Sequence, residues 1–173
     1  MRYFRHLALL IALQAPWTAA AAPLEDYFFG FNTCYGRSYP LEHLNKNPDQ
    51  QVIEMAISHF PAKQNLLGME SPYQPYPDTP RLVLKLDVWM RGKDNPWQEN
   101  AICGADGDRL LCRIGCDGGA FHLTARPENR LLLTLDRELY FTQCDAGDAV
   151  LNRTKADSAF LLYPIPQSHC RDN

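Results

Sequence analysis

The stretch from residue 101 to residue 141 constrains the fold most strongly, because it reads as a series of β-hairpins. Apolar and polar residues alternate between turn signals, and a period of two is typical of strands that bury one face. A two-residue loop at Gly107–Asp108 suits a type II′ turn and would place Cys103 directly opposite Cys112. The chain is therefore expected to form an antiparallel meander here.

The next turn signal extends this register. Asp117–Gly118 predicts a second two-residue loop, which sets Ile114 against Phe121 and Cys112 against Leu123. A slip of one residue would move every side chain to the other face of the sheet, so turns that agree with one another support the whole register.

Two further turns complete the predicted meander. A turn through residues 127–129 opposes Leu123 to Leu133, and a tight turn around Arg137 sets Leu133 near Phe141. The residues predicted to face inward are Leu110, Cys112, Ile114, Cys116, Phe121, Leu123, Ala125, Leu131, Leu133, Leu135, Leu139 and Phe141. The residues predicted to face outward are Arg113, His122, Thr124, Thr134 and Asp136.

The rest of the sequence adds strands and loops of less regular pattern. Apolar runs predict strands at 52–60 and 82–90 and a last strand within 157–166. The proline-rich segment 71–80 is expected to be a loop, and 94–100 a turn.

The fold class follows from these elements. The segment from Pro40 to Pro48 predicts one short helix, because proline suits a first helical turn and a later proline ends the helix. With about six or seven antiparallel strands, the protein is predicted to be all-β and mostly antiparallel. We expect a small disulfide-stapled β-barrel or β-sandwich with one short N-terminal helix, and we favour the barrel because closure removes exposed sheet edges.

The N-terminus predicts export. Residues 1–21 combine a basic start, a short apolar run and small residues up to Ala21, which is typical of a secretory signal peptide. The apolar run is too short to span a bilayer, so no stable membrane anchor is expected. Residues 22–173 are then predicted to form a single β-rich domain that is periplasmic or secreted.

Charge narrows the range of partners. Without the two leader arginines, 15 basic residues face 20 acidic ones, so the net charge of the mature protein is −5. A mildly acidic domain without a long basic run is a poor candidate for binding nucleic acid. We therefore expect a protein or small-molecule partner in the envelope or the medium.

All six cysteines follow the predicted leader, and in an oxidising compartment an even count favours disulfides over redox or metal chemistry. Residues four apart in a strand are separated by about 13 Å, so Cys112 and Cys116 are not expected to bond each other. The hairpin register favours Cys103–Cys112. Each of the two cysteines Cys116 and Cys144 is then expected to bond one of the terminal cysteines, Cys34 or Cys170.

Motifs for catalysis are weak. The histidines are scattered without ligand spacing, and no G-x-S-x-G nucleophile turn occurs. We therefore predict no catalytic residue, no metal site and no cofactor. A carboxylate or histidine site for hydrolysis remains open, because sequence alone cannot show which carboxylates converge in space.

The segment CYGRSYPLEHL holds the most unusual polar and aromatic cluster: Tyr35, Arg37, Tyr39 and His43. An arginine between tyrosines can hold an anionic ligand or a partner surface. In the alternative interpretation, Arg37 stacks on its tyrosines and pairs with an acid of the same protein. Both interpretations remain open at this point.

The same segment carries a resemblance. CYGRSY, followed by EHL and then NPDQQV, is similar to the N-terminal motif of a group of uncharacterised secreted bacterial proteins. The resemblance covers about 20 residues and implies a bacterial, exported setting. It implies no activity and no residue role.

These observations predict an exported, disulfide-stapled binding domain, such as an inhibitor or an envelope-interaction protein. The first alternative is a small hydrolase with a carboxylate or His43-centred site. The second is a thiol or metal-binding protein. We expect a binding protein rather than an enzyme, because no catalytic motif competes with that interpretation.

Overall fold

The computed structural model describes residues 24–28, 34–59, 82–141 and 149–170. Eight antiparallel strands close into a barrel, and two further short strands form a separate ribbon. The strands are β1 (Cys34–Ser38), β2 (Val52–His59), β3 (Leu82–Met90), β4 (Trp97–Asp106), β5 (Arg109–Ile114), β6 (Ala120–Arg126), β7 (Arg130–Leu135), β8 (Leu139–Tyr140), β9 (Val150–Leu151) and β10 (Ala159–Pro164).

Three short helical segments lie among the described residues. Helix α1 (Leu41–Lys46) follows β1, as predicted, with Pro40 at its N-cap and Asn47 at its C-cap. Turns of 3-10 helix lie at Leu24–Tyr27 and Gln167–His169. Within the described ranges, no helix is long and apolar enough to cross a membrane.

The strands follow one another around the barrel from β1 to β7, and β10 then pairs with both β7 and β1. The predicted choice between barrel and sandwich is therefore settled as a barrel.

Strand β1 was not predicted; its five residues include a central glycine and show little alternation, yet it closes the barrel between β2 and β10. The predicted turn at 94–100 is wrong in its second half, because β4 already begins at Trp97.

Two predicted hairpin registers are confirmed. Cys103 lies opposite Cys112 across the Gly107–Asp108 turn. Leu123 lies opposite Leu133 across the turn at 127–129. In both hairpins the turn chemistry alone determines the alignment of the strands.

The register between β5 and β6 differs from the prediction by two residues, since Cys112 lies opposite Phe121 and not opposite Leu123. Residues 115–119 form a longer connection than the predicted two-residue loop, and the Ile114 N–H donates to the Gly119 carbonyl at 3.0 Å. A shift of two residues keeps the same side chains inside the barrel, because the side-chain period of a strand is two.

Two residues of this connection explain the difference. Cys116, which was predicted to face inward, is exposed and has a φ of 53°. Gly119 has a φ of +92°, and a Cβ at this position would lie 2.6 Å from the Glu138 carbonyl oxygen. The backbone therefore leaves the strand at Ile114 and re-enters it only after a glycine that no other residue replaces without strain.

The predicted pairing around Arg137 is wrong. β8 pairs with β9, and Leu133 of β7 lies opposite Phe160 of β10, not near Phe141. The barrel closes through β10, which occupies the edge of β7 that the prediction gave to the segment after Arg137. Phe141 is nevertheless buried, as predicted.

The barrel interior is filled by side chains. The inward faces of the strands carry mainly leucine, isoleucine, valine, methionine and phenylalanine that are almost fully buried. An eight-stranded barrel is just wide enough for side chains to fill its interior. Leu24 and Phe28 of the N-terminal segment are also buried against this core, where Phe28 contacts Tyr35 edge to face.

The disulfide between Cys103 and Cys112 is confirmed. A second disulfide joins Cys34 to Cys170, so the prediction that Cys116 and Cys144 bond these two cysteines is wrong. The two terminal segments meet because β10 pairs with β1 in the closed barrel. Cys116 is itself disulfide-bonded, although its partner lies outside the described residues.

Several predictions fall on residues that the structure does not describe. The signal peptide (1–21), the loop at 71–80, Cys144 and the ends of the predicted domain lie outside the described ranges.

Candidate functional site

One end of the barrel carries α1. The described residues that form it are the connections 39–51, 91–96, 115–119, 136–141 and 149–158, and it is called the α1 end. The opposite end carries the turns at 107–108 and 127–129 and the disulfide between the terminal segments.

Arg37, near the end of β1, lies between two tyrosine rings. Its guanidinium carbon is 5.2 Å from the ring centroid of Tyr39 and 5.1 Å from that of Tyr163. A guanidinium within about 6 Å of an aromatic centroid is attracted by the ring electrons. Tyr163 reaches this position because β10 pairs with β1, opposite Gly36.

Gly36 permits the close approach of the C-terminal segment. A Cβ at position 36 would lie 2.5 Å from Cδ1 of Ile165 and 3.0 Å from the Met55 carbonyl oxygen. A side chain at position 36 would therefore have to displace Ile165 and crowd the Met55 carbonyl, which accounts for the glycine of CYGRSY by packing.

The charge of Arg37 has no internal counter-ion among the described residues. Its Nε is buried and makes no hydrogen bond. No hydrogen bond or carboxylate contact within the described ranges engages Nη1 or Nη2 either, and neither of these atoms is buried. The predicted stacking on Tyr39 is present, whereas no described acid pairs with Arg37.

His43 completes the aromatic side of this cluster. Its ring stacks on Tyr39 with 4.9 Å between the centroids. His43 Nε2 lies 2.9 Å from Oε1 of Gln50, whose own Nε2 donates to the Val52 carbonyl at 2.7 Å. Because that amide nitrogen faces a carbonyl, Gln50 presents its oxygen to His43, and His43 Nε2 carries the proton.

Tyr35 is separated from the other three residues of the predicted cluster. It is 2% exposed and contacts Phe28 in the core. Its hydroxyl donates to Oδ1 of Asn129, at the opposite end of the barrel from α1. Burial raises the pKa of Tyr35, so the phenol is neutral and serves the packing of the core.

A buried carboxylate, which the sequence did not reveal, fixes the loop after α1. Asp157 is fully buried and accepts the backbone N–H groups of Gln51 at 2.7 Å and Val52 at 3.2 Å. These bonds join the connection before β10 to the start of β2. They hold the segment that carries Gln50 and, through it, His43.

Arg91 fixes the same loop from the other side. Its Nε donates to the Gln50 carbonyl at 2.9 Å, and its Nη2 donates to the Leu44 carbonyl at 2.9 Å and to the Asn47 carbonyl at 3.2 Å. The last carbonyls of a helix have no partner within it, and Arg91 supplies one at the end of α1.

The electrostatics of Asp157 predict a measurable pH effect. Burial raises the pKa of Asp157 above 3.8, opposed by its two backbone hydrogen bonds and the positive charge of Arg91. A carboxyl pKa that is higher in the folded protein contributes stability below the unfolded value, and this contribution is lost as the pH rises through the folded value. The free energy of unfolding of the wild type, minus that of Asp157→Asn, should therefore fall as the pH rises from about 3.5 toward neutral.

Urea denaturation of both proteins at a series of pH values measures this difference. The other titrating groups are common to both proteins and cancel. A difference that grows with pH would contradict a raised pKa of Asp157.

Tyr39 remains a neutral ring. Burial raises the pKa of its phenol, and this effect exceeds the opposing effect of the Arg37 charge. Tyr39 therefore offers Arg37 a π face and no phenolate at physiological pH.

A cleft of about 790 Å³ lies nearby, between the loop after α1 and the segment 154–156. Lys46, Asp49 and Lys155 are among its lining residues, and all three are exposed. The lining carries both signs of charge on solvent-exposed side chains, so the cleft does not favour a ligand of either charge. Arg37, in contrast, favours an anionic ligand.

A metal centre, a free thiol and a His43-centred hydrolase gain no support from the described geometry; the histidine that contacts carboxylates is His122, beside Asp136 at 2.7 Å and Asp106 at 3.3 Å. Within the described part of the protein, no three His, Cys, Asp or Glu residues converge on a metal site, and no cysteine is free. The protonated nitrogen of His43 is engaged by Gln50, and no described carboxylate bonds to its ring.

No family model matches the sequence, and neither curated proteins nor solved structures contain a significant match.

Proposed function

We propose that this protein is an exported binding domain that engages a macromolecular partner through the α1 end of its barrel. The surface, called the Arg37 patch, comprises Arg37, Tyr39, His43, Tyr163 and Leu41. The observation that carries the proposal is the charge of Arg37, which is held between two rings without a counter-ion among the described residues.

The composition of the patch suits a protein interface. Arginine and tyrosine are enriched among the residues that contribute most to binding energy. Leu41, two residues after Tyr39, is 71% exposed and is the most exposed large apolar side chain among the described residues. An exposed apolar residue in the same short segment as Arg37 adds apolar surface that a partner could bury.

The hydrogen bonds that hold the patch support binding. Asp157 and Arg91 fix the loop after α1, and Gln50 fixes His43. A surface that is ordered before binding loses little conformational entropy when a partner docks. Inhibition of an envelope enzyme is one form that such an interaction takes.

The exported setting rests on independent observations. Two disulfides lie in the described part of the protein and are consistent with an oxidising compartment. The predicted signal peptide and the resemblance of CYGRSY to secreted bacterial proteins support the same setting.

Recovery of partners from an envelope extract tests the function. We expect immobilised wild type to retain a partner that Arg37→Ala loses, because the substitution removes the unpaired cation and leaves the core untouched. Arg113→Ala is the matched control, since Arg113 is an exposed arginine on β5 outside the patch. Equal recovery of every protein by wild type and Arg37→Ala would exclude the patch as the binding surface.

A further inference from the structure

We propose that the Arg37 patch binds a carboxylate, and that the partner presents it from an acidic side chain. The inference rests on the proposed function and names the chemical group that the patch recognises. It is carried by the open Nη1 and Nη2 of Arg37 and by the two tyrosine rings beside the guanidinium.

The direction of approach follows from which nitrogen atoms of Arg37 are buried. Nε is buried and has no partner, whereas Nη1 and Nη2 are neither buried nor hydrogen-bonded within the described ranges. A ligand therefore meets the outer edge of the guanidinium, where two N–H groups point in parallel. This edge matches the two oxygens of a carboxylate in a bidentate pair.

Among the residues that the structure describes, no charge of the protein itself satisfies this edge. Asp157 is the buried carboxylate at this end of the barrel, but its oxygens accept the N–H groups of Gln51 and Val52, and its charge is offset by Arg91. Glu42, on α1, is paired with Lys46 at 2.7 Å. Within the described ranges, the positive charge of Arg37 therefore stays unpaired, and an external anion can neutralise it.

The rings favour a planar anion over a tetrahedral one. The faces of Tyr39 and Tyr163 carry the negative part of the ring quadrupole. A carboxylate places both of its oxygens at the outer edge of the guanidinium and carries no further oxygen. A phosphate carries additional oxygens, which the nearby ring faces would repel.

The contacts of the Arg37 guanidinium with the two tyrosine rings also lower the entropic cost of binding. A free arginine side chain loses rotamer entropy when it forms a salt bridge. The guanidinium carbon of Arg37 already lies about 5 Å from the ring centroids of Tyr39, just after β1, and Tyr163, on β10. Substitution by lysine would keep the charge and lose both the planar fit and the parallel donors.

The arginine Nε–Hε region of the NMR spectrum tests the inference in the mature wild-type protein. The Arg37 signal should shift and saturate with sodium acetate, should respond at least about tenfold more weakly to inorganic phosphate, and should not respond to sodium chloride at equal ionic strength. The Nε–Hε signal of Arg113 provides the internal control. A saturable response to phosphate that equals or exceeds the acetate response would overturn the carboxylate assignment, as would equal shifts with chloride.

Variants extend the test. Backbone amide shifts of residues 37–43 should report acetate binding in Arg113→Gln as in wild type, with the affinity reduced at least about tenfold in Arg37→Lys. Undiminished acetate binding by Arg37→Lys would contradict recognition by the guanidinium edge.

The two proposals fail separately. If Arg37→Ala loses a partner but acetate leaves the wild-type Arg37 signal unchanged, the binding function holds and the carboxylate inference fails. If acetate binds at Arg37 but partner recovery does not depend on Arg37, the carboxylate site holds and the proposed function fails.

Discussion

Replacing Cys34 and Cys170 together by alanine is expected to lower the free energy of unfolding by about 4–5 kcal/mol. The disulfide closes a loop with a sequence separation of 136 residues. A cross-link stabilises a protein mainly by restricting its unfolded state, and the effect grows with the length of the closed loop. The same bond anchors the terminal segments where β10 pairs with β1, which is the pairing that closes the barrel.

Denaturation in urea without reductant measures this loss. The matched control is Cys103→Ala with Cys112→Ala, whose disulfide closes a separation of only 9 residues and should cost about 2.5 kcal/mol. A larger loss for the short loop than for the long one would contradict the role of barrel closure.

The second large effect is expected for Asp157→Ala, which should lower the free energy of unfolding by about 2–4 kcal/mol. The substitution leaves the N–H groups of Gln51 and Val52 without their acceptor. Thermal or urea denaturation at neutral pH measures it. Asp157→Ala should also loosen the Arg37 patch, because the loop that holds Gln50 and His43 loses its attachment to the segment before β10.

Asp94→Ala is the control for Asp157→Ala. Asp94 is an exposed acid in the turn between β3 and β4, and its loss should change the free energy of unfolding by no more than about 0.5 kcal/mol. A similar small effect at Asp157 would show that its carboxylate does not support the loop.

The strand registers that were predicted correctly are those set by the residues of short turns. Gly107–Asp108 and the turn at 127–129 each set a register that is confirmed. The connection at 115–119 was mispredicted because Asp117–Gly118 looks like a two-residue hairpin turn, whereas Cys116 and Gly119 also adopt positive φ. A longer loop gives the same inward face, so alternation of apolar residues could not distinguish the two registers.

Barrel closure could not be predicted in the same way. β1 contains only five residues around a glycine, and its pairing with β10 joins residues more than a hundred positions apart. No turn links these strands, so no local signal sets their register. The Cys34–Cys170 disulfide was missed for the same reason.

The candidate site shows the same contrast between residues that are close in sequence and residues joined by long-range contacts. Arg37, Tyr39 and His43 were predicted together because they are close in sequence, and the structure brings them into contact. Tyr163 and Asp157 reach the site only through the long-range contacts of β10 and its preceding segment. Tyr35 was grouped with Arg37 because the two are close in sequence, but its side chain enters the core and bonds Asn129.

The central claim is that the rings of Tyr39 and Tyr163 hold the guanidinium of Arg37, and that its Nη1 and Nη2 bind an anion from outside the protein. A crystal structure of residues 22–173, grown without carboxylate or phosphate buffers, tests this most directly. It should show the guanidinium between the rings of Tyr39 and Tyr163, with no acidic side chain of the same molecule at Nη1 or Nη2. An aspartate or glutamate of the same molecule paired with those nitrogens would contradict the claim.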